Sequence, residues 1–237
     1  MLSLVALASA SMVPSCPPVS TFGNKLNLTA FTEHTWHIQE QQLTGYRARH
    51  KTSAHAHAHT PTHLIGLPRW TEPLDSLYCV TATYYLDEHR TVPFFSGTVV
   101  AVHNYANNGR VNGPNQNGNN MTLCARAVDH DDSSRLAVAP CFLPNLLAGP
   151  YWVLGVGSMY EWAVVIGGQP EEKYDDGCTT KETGINNSGL WLFTRDQLPS
   201  KDVLDEMHAL LKKEGVSTSR LHRVDHEGCR YAGAYRK

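Results

Sequence analysis

The segment from Pro150 to Arg195 decides the fold class of this 237-residue chain. It opens with Pro150-Tyr151-Trp152-Val153-Leu154-Gly155-Val156, continues with Met159-Tyr160-Glu161-Trp162-Ala163-Val164-Val165-Ile166, and ends after a polar stretch with Gly189-Leu190-Trp191-Leu192-Phe193-Thr194-Arg195. Short runs rich in Val, Trp, Phe and Tyr, separated by Gly, Ser and Asn, are typical of antiparallel strands joined by turns. The run from Trp152 to Val156 is apolar at consecutive positions, which predicts a strand covered on both faces, as in a barrel with a filled or ligand-filled interior.

The composition of the chain is that of a folded domain. Hydrophobic residues make up 41% and charged residues 18%, which excludes global disorder. A net charge of −2 and the lack of a basic run argue against nucleic acid as a partner. No apolar run approaches the ~20 residues that a membrane-spanning helix needs.

The N-terminus and the cysteines both favour an oxidising compartment. Residues 1–10 are apolar and end in Ala-Ser-Ala, similar to the end of a signal peptide cleaved after Ala10; a mildly apolar terminus is the alternative. Six dispersed cysteines without CxxC spacing fit disulfides better than a zinc site. Cys124 and Cys141 flank a predicted turn almost symmetrically, which supports a bridge between them.

The order and spacing of the motifs resemble the second half of a lipocalin. Tyr151-Trp152-Val153-Leu154 precedes the run from Met159 to Val165, Leu192-Phe193-Thr194-Arg195 follows, and Ser158-Met159-Tyr160 stands where the family has Thr-Asp-Tyr. The resemblance is to the apolipoprotein D, bacterial outer-membrane and plastid lipocalins, and to the lipocalin domain of violaxanthin de-epoxidase. It implies an all-β fold, an eight-stranded antiparallel up-and-down barrel of the calycin type with one C-terminal α-helix packed outside.

The same resemblance assigns a barrel-closing motif to Trp36, Tyr160 and Arg195. Trp36 matches the tryptophan of the family's Gly-x-Trp motif, with His34 in place of the glycine. Trp36 is then expected to plug the closed end with Arg195 across its ring, a cation–π contact of roughly 0.5–2 kcal/mol. An ordinary core tryptophan and a surface arginine are the alternative.

Eight strands and one helix are predicted within residues 25–229. The strand centres are Trp36, Thr81, Val100, Leu123, Val138, Leu154, Val164 and Leu192. The third, fourth and fifth strands are expected over residues 94–105, 121–128 and 136–143. Ser200 is expected to cap a helix over residues 201–214 that ends at Gly215, with an apolar stripe at helical spacing.

The remaining segments are assigned from their composition. Residues 1–24 form the signal-like segment and an irregular arm, and residues 230–237 form a basic tail. A His-rich loop is inserted at 47–73 and a polar insertion lies at 169–188. In the His-rich loop, His55, His57 and His59 share one face of an extended segment and are weak metal-ligand candidates, but no carboxylate or cysteine lies nearby. A low-complexity loop without metal is the preferred interpretation.

Six cysteines allow many pairings, and the resemblance selects among them. Similarity to apolipoprotein D favours Cys79–Cys229 and Cys16–Cys178, which leaves Cys124–Cys141 as the third bridge. Each bridge is expected to contribute about 2–4 kcal/mol to stability.

The sequence offers little catalytic chemistry, so no catalytic residue is assigned and no required cofactor is expected. No nucleophile elbow, P-loop, zinc-protease helix or dinucleotide fingerprint occurs in the sequence. The expected partner is a small hydrophobic ligand such as a fatty acid or other lipid, a retinoid or a carotenoid pigment, held in the barrel. Cavity candidates, with the inward parity left open, are Tyr84, Phe95, Val100, Tyr105, Trp152 and Trp162.

Two alternatives to a carrier stay open. One is an accessory subunit of a larger assembly, photosynthetic or membrane-associated, with a peripheral contact to the membrane. The other is a de-epoxidase-like enzyme, suggested by the similar phrase from Thr194 to Pro199, although the cysteine-rich domain of that enzyme is absent from this sequence. The expected location is extracellular or the lumen of an organelle, the thylakoid included.

Overall fold

The computed structural model describes residues 16–43, 77–86, 90–115, 122–184 and 186–235. The predictions for the signal-like segment at 1–10 and for the His-rich loop with His55, His57 and His59 lie outside these ranges. In the described part, no helix is long and apolar enough to cross a membrane.

Eight strands close into one antiparallel barrel. Its strands are Trp36–Gln42 (β1), Leu77–Leu86 (β2), Val99–Asn108 (β3), Leu123–Ala127 (β4), Arg135–Pro140 (β5), Gly149–Val156 (β6), Trp162–Ile166 (β7) and Leu190–Thr194 (β10). Neighbours along the chain pair with one another, and β10 pairs with both β7 and β1, which closes the sheet. Between β7 and β10 lies a small hairpin of Glu172–Tyr174 (β8) and Gly177–Thr179 (β9), and Leu221–Arg223 (β11) adds to the edge of β1.

The predicted fold class is confirmed, with corrections to strand ends. Each of the eight predicted strand centres lies in its own barrel strand. The third strand begins at Val99 rather than at residue 94, because Phe94 has a φ of 60° in a tight turn that is incompatible with a strand. The fifth strand ends at Pro140, and the turn that follows it contains Cys141. The fourth strand is also shorter than predicted, at both ends.

Short helices define the closed end of the barrel. A 3₁₀ turn over Gly23–Lys25 and helix α1 (Leu28–Thr32) precede β1, and Asn27 caps α1 by accepting from the backbone N–H groups of Thr29 and Ala30. Ser133, in the β4–β5 turn, donates to the backbone oxygen of Leu26 at 3.0 Å. The β4–β5 turn therefore lies at the closed end, and the β1–β2, β3–β4, β5–β6 and β7–β10 connections leave from the opposite, open end.

Helix α2 (Lys201–Lys213) packs against the outside of β7 and β10. Met207 and Leu211 are fully buried there against outward-facing side chains of the barrel, in a second cluster separate from the interior. Ser200 occupies the N-cap position but makes no side-chain capping hydrogen bond, unlike the prediction. The C-terminus matches the prediction: Gly215 has a φ of 69°, and Val216 N donates to Leu211 O at 2.9 Å, as in a Schellman motif.

The three predicted disulfides are present. They join Cys16 to Cys178, Cys79 to Cys229 and Cys124 to Cys141. The first ties the N-terminal arm to β9, the second ties the C-terminal segment to the start of β2, and the third joins β4 to the turn after β5. The described part of the chain contains no free cysteine.

Candidate functional site

The closed end is built around Trp36. Its side chain has 0% of its surface exposed, its ring lies 5.3 Å from that of Phe31, and its indole N–H donates to Phe31 O at 2.9 Å. The guanidinium carbon of Arg195 sits 3.5 Å from the centre of the Trp36 ring. This is the cation–π contact that the resemblance implies, so the alternative of a surface arginine is wrong.

Arg195 also satisfies the backbone around the plug. It donates to the carbonyl oxygens of Ala30 at 2.9 Å and of Phe31 at 3.0 Å, to that of Tyr160 at 3.2 Å, and to that of His34. Burial lowers the pKa of Arg195 to about 10, which leaves the side chain charged at neutral pH. The residue that replaces the motif glycine, His34, thus takes part through its backbone oxygen, and its side chain is largely exposed.

Tyr160 completes the closing motif from the β6–β7 turn. It adopts a left-handed conformation with a φ of 58°, and its hydroxyl accepts from the backbone N–H of Asn27 at 2.8 Å. The turn of Ser158-Met159-Tyr160 thereby joins β7 to the segment that leads into α1, and the closed end is held by side chains from both halves of the chain.

The barrel interior is one apolar cluster. It contains Trp36, Tyr84 and Val100 together with Tyr151 and Phe193, and all of these are buried. Because residues directly opposite each other in antiparallel strands face the same side, the pairs Val153–Val165 and Ile38–Phe193 fix the inward parity of their strands. Register shifts at Ile38/Glu40 and Val153/Gly155 reverse the alternation within β1 and β6.

Several inward-facing side chains of the open half are reached by solvent. Leu123, Val138 and Trp191 pack against the interior cluster but are only partly buried. Asn104 shares the inward parity of Val102 and is exposed. Solvent therefore reaches inward-facing side chains near the mouth, while the rings of Phe31, Trp36 and Phe193 fill the closed half.

The structure divides the predicted cavity residues between the interior and the outside. Tyr84 and Val100 lie in the interior cluster. Trp152 and Trp162 face outward and belong to the outer cluster that includes α2, and the Trp162 indole N–H donates to Glu206 at 2.9 Å. These two candidates therefore do not line the interior, because both faces of their strands are covered and these tryptophans lie on the outward face.

The structure also places the cavity candidates Phe95 and Tyr105 on the outside of the barrel. Phe95 packs outside the barrel with Val92, Val99 and the Cys124–Cys141 bridge. Tyr105 packs with the Cys79–Cys229 bridge, and its hydroxyl donates to Ala232 O at 3.2 Å. Each ring covers a disulfide on the outer surface instead of facing the interior.

Sequence reasoning missed Tyr151 and Trp191 as inward-facing residues. The Tyr151 and Trp191 rings stack at 6.1 Å, and the Tyr151 hydroxyl lies 2.6 Å from that of Tyr84 on the opposite side of the barrel. Tyr151 is next to the cavity candidate Trp152, and Trp191 is next to the predicted strand centre Leu192. The signal that would have found them is the apolar stripe of α2, which requires a matching outward apolar face at Trp152, Leu154, Val164 and Leu192.

The phenol groups of Tyr84 and Tyr151 in the interior are held neutral. Burial raises the pKa of Tyr84, and burial followed by its proximity to Tyr84 raises the pKa of Tyr151 well above the ordinary range. Among the described residues, no group of three His, Cys, Asp or Glu side chains is placed to hold a metal ion. The barrel interior is therefore apolar, with the hydroxyl groups of Tyr84 and Tyr151 in contact inside it.

No protein-family model matches the chain, and neither does any curated protein. Solved structures do. Lobster apocrustacyanin A1 is 14% identical, with a TM-score of 0.49 over 88% of this chain and 84% of that one. Insecticyanin from the tobacco hornworm Manduca sexta is 13% identical, with a TM-score of 0.47 over 89% and 85%. The cockroach allergen Per a 4 is 14% identical, with a TM-score of 0.48 over 93% and 98%. At these values, the fold assignment depends on the strand order and the barrel closure themselves.

Proposed function

We propose that this protein binds a small hydrophobic ligand, such as a fatty acid or other lipid, a retinoid or a carotenoid, in the open half of its barrel, as a lipocalin-type carrier. The observation that supports the proposal is the exposure of Leu123, Val138 and Trp191, apolar side chains that face inward near the mouth. An inward apolar surface reached by solvent is the usual form of a site for small apolar molecules.

Burial of apolar surface supplies the affinity at such a site. At roughly 25 cal/mol per Å², a ligand that buries about 300 Å² of apolar surface gains about 7.5 kcal/mol, before the cost of association is subtracted. The filled closed half around Trp36 limits how deep the ligand reaches. We therefore place the ligand between Trp191 and the mouth loops.

We also propose that the protein works outside the cell or in an organelle lumen, the thylakoid lumen included. Three disulfides fit an oxidising compartment, where such bridges form and persist.

Native mass spectrometry of the protein purified from its source tests the carrier proposal directly. The expected result is a stoichiometric adduct that organic extraction releases and that proves to be a lipid or pigment. An empty barrel that co-purifies with other polypeptides would contradict the proposal and favour the accessory subunit.

Fluorescence titration with N-phenylnaphthylamine, an apolar dye, provides a test on recombinant protein. Val138→Trp places a large ring in the open half and should weaken dye binding at least tenfold. Leu198→Trp, at an exposed position outside the barrel, is the matched control and should bind the dye as wild type does. Equal binding by all three proteins would place the dye elsewhere and would contradict an interior site.

A further inference from the structure

Tyr84 and Tyr151 meet across the barrel at the boundary between its filled half and its open half. Tyr84 lies on β2 and Tyr151 on β6, and their hydroxyl oxygens are 2.6 Å apart. On the closed side, the Tyr84 ring lies 5.4 Å from Phe31. On the open side, Trp191 stacks on Tyr151. The pair therefore forms the floor of the open half of the barrel, in which we place the ligand.

The Tyr84–Tyr151 pair has one hydroxyl hydrogen that makes no hydrogen bond within the described part of the protein. Two phenol groups carry two hydroxyl hydrogens, and the bond between them uses one. Within the described ranges, neither hydroxyl makes a second hydrogen bond. Tyr84 is 2% and Tyr151 is 9% exposed, so the remaining O–H is a buried donor among apolar side chains. A buried donor that lacks an acceptor is unfavourable, and a ligand acceptor removes that penalty.

The protonation state of the pair suits a donor. Burial raises the pKa of both phenols far above neutral pH, so both hydroxyls keep their hydrogens when a ligand enters. The positive charge of Arg195 acts on Tyr84 from the closed side. An acceptor oxygen at the floor would thus meet an O–H group and a favourable electrostatic field.

We propose that the Tyr84–Tyr151 pair is the recognition site for an acceptor oxygen at the inner end of an elongated apolar ligand. The second O–H donates to that oxygen, which belongs to a hydroxyl, a carbonyl or a carboxylate group, while the apolar chain points to the mouth past Trp191. This inference depends on the proposed function, because it assigns the chemistry of the same interior site.

Three probes of equal chain length separate the outcomes: decane, decanol and decanoate, each displacing N-phenylnaphthylamine from the intact protein. We expect wild type to bind an oxygen-bearing probe about three- to tenfold more tightly than decane, the effect of one hydrogen bond. A gain for decanol and decanoate alike means that a neutral acceptor suffices. A gain for decanoate alone means that the acceptor is anionic, and either result supports the proposal.

The decisive variant is the double substitution Tyr84→Phe with Tyr151→Phe. It removes both hydroxyls together, which leaves no orphan partner and keeps the fold. The preference for an oxygen-bearing probe should fall to about onefold in this variant, while decane affinity stays as in wild type. Tyr105→Phe, on the outer face, is the matched control and should keep the full preference.

Two results would overturn the inference while leaving the carrier proposal intact. One is equal affinity of wild type for decane, decanol and decanoate; the other is an unchanged preference in the double variant. Failure of the dye and of all three probes to bind would instead contradict the proposed function itself.

Discussion

The two ends of the barrel are held together by different means. At the closed end, Trp36 and Arg195 join α1, the β6–β7 turn and the end of β10 through ring packing and hydrogen bonds to backbone carbonyls. At the open end, all three disulfides join strands and loops from outside the barrel. Under the proposed function, the open end has to admit a ligand and cannot be filled with side chains, and covalent bonds on the outer surface restrain it instead.

At each end, an arginine donates hydrogen bonds to backbone carbonyl oxygens. Arg126 has 0% of its surface exposed and donates to the carbonyl oxygens of Cys124 at 2.7 Å and of Leu143 at 2.8 Å, which fixes the connection after β5. Arg195 makes comparable bonds at the closed end. Both use N–H groups of the guanidinium to satisfy backbone oxygens rather than a carboxylate.

The largest expected effect comes from reducing the three disulfides. Each contributes about 2–4 kcal/mol, so their sum approaches the whole stability of a typical domain. Hydrogen exchange after reduction should show protection lost first in β9, in the start of β2 and in the start of β4, and last around Trp36. Loss of protection beginning at the closed end would break the comparison between the two ends.

Trp36→Ala is expected to have the next largest effect. It removes a fully buried ring at the closed end and should lower the free energy of unfolding by about 3–5 kcal/mol. Trp191→Ala, at the partly buried open end, should cost clearly less in stability. Chemical denaturation of both variants measures the difference, and equal losses would mean that the open half is packed as tightly as the closed half.

Arg195→Met and Arg126→Met compare the two arginines. Each substitution removes the guanidinium donors from several buried or partly buried carbonyl oxygens, which predicts a loss of about 2–3 kcal/mol. The Arg195 variant should lose up to about 2 kcal/mol more than the Arg126 variant, because the contact between the guanidinium group and the Trp36 ring is also lost. Thermal unfolding of the two variants, with Lys substitutions as charge-retaining controls, tests this order.

The smallest effect concerns His226, which lies beside β1 and belongs to neither end. Its Nε2–H donates to Ile38 O at 2.8 Å, so its Nδ1 accepts from the Tyr231 hydroxyl. Burial lowers the pKa of His226 from the ordinary 6.5, so the unfolded chain takes up the proton first as the pH falls. Stability should therefore decrease below about pH 6.5.

His208 makes stability depend on pH in the opposite direction. A hydrogen bond with Glu40 at 2.8 Å raises its pKa, so its contribution is full below the unfolded pKa and is lost as the pH rises through the folded one. His226→Gln should flatten the acid side of the stability profile and His208→Gln the neutral side. If both variants have the same dependence of stability on pH as wild type, the two histidines are not its cause.

The sequence predicted the closed end better than the open end, for a physical reason. Trp36, Tyr160 and Arg195 each belong to a motif of fixed composition and spacing, so a resemblance transfers them one by one. The interior of the open half has no such motif, and its lining depends on which parity of each strand faces inward. In an alternating strand, either the odd or the even positions can face inward. The bulge at Val153/Gly155 changes which positions face inward within a single strand.

The small elements were missed for another reason. The β8–β9 hairpin has three residues in each strand and lies in a polar stretch, where neither apolar alternation nor composition marks it. The absence of a capping bond at Ser200 likewise depends on a side-chain rotamer and not on residue type.

The last strand, β11, has a consequence for how this protein behaves at high concentration. β2 pairs with β1 at Trp36 and His37, and β11 occupies the same edge of β1 from Glu40 to Gln42, with Cys229 bonded to Cys79 just beyond it. Without β11, those N–H and C=O groups would form an open edge that strands of other molecules can join. We therefore expect the C-terminal segment to protect the protein against aggregation by strand addition, and a chain shortened before Leu221 to self-associate.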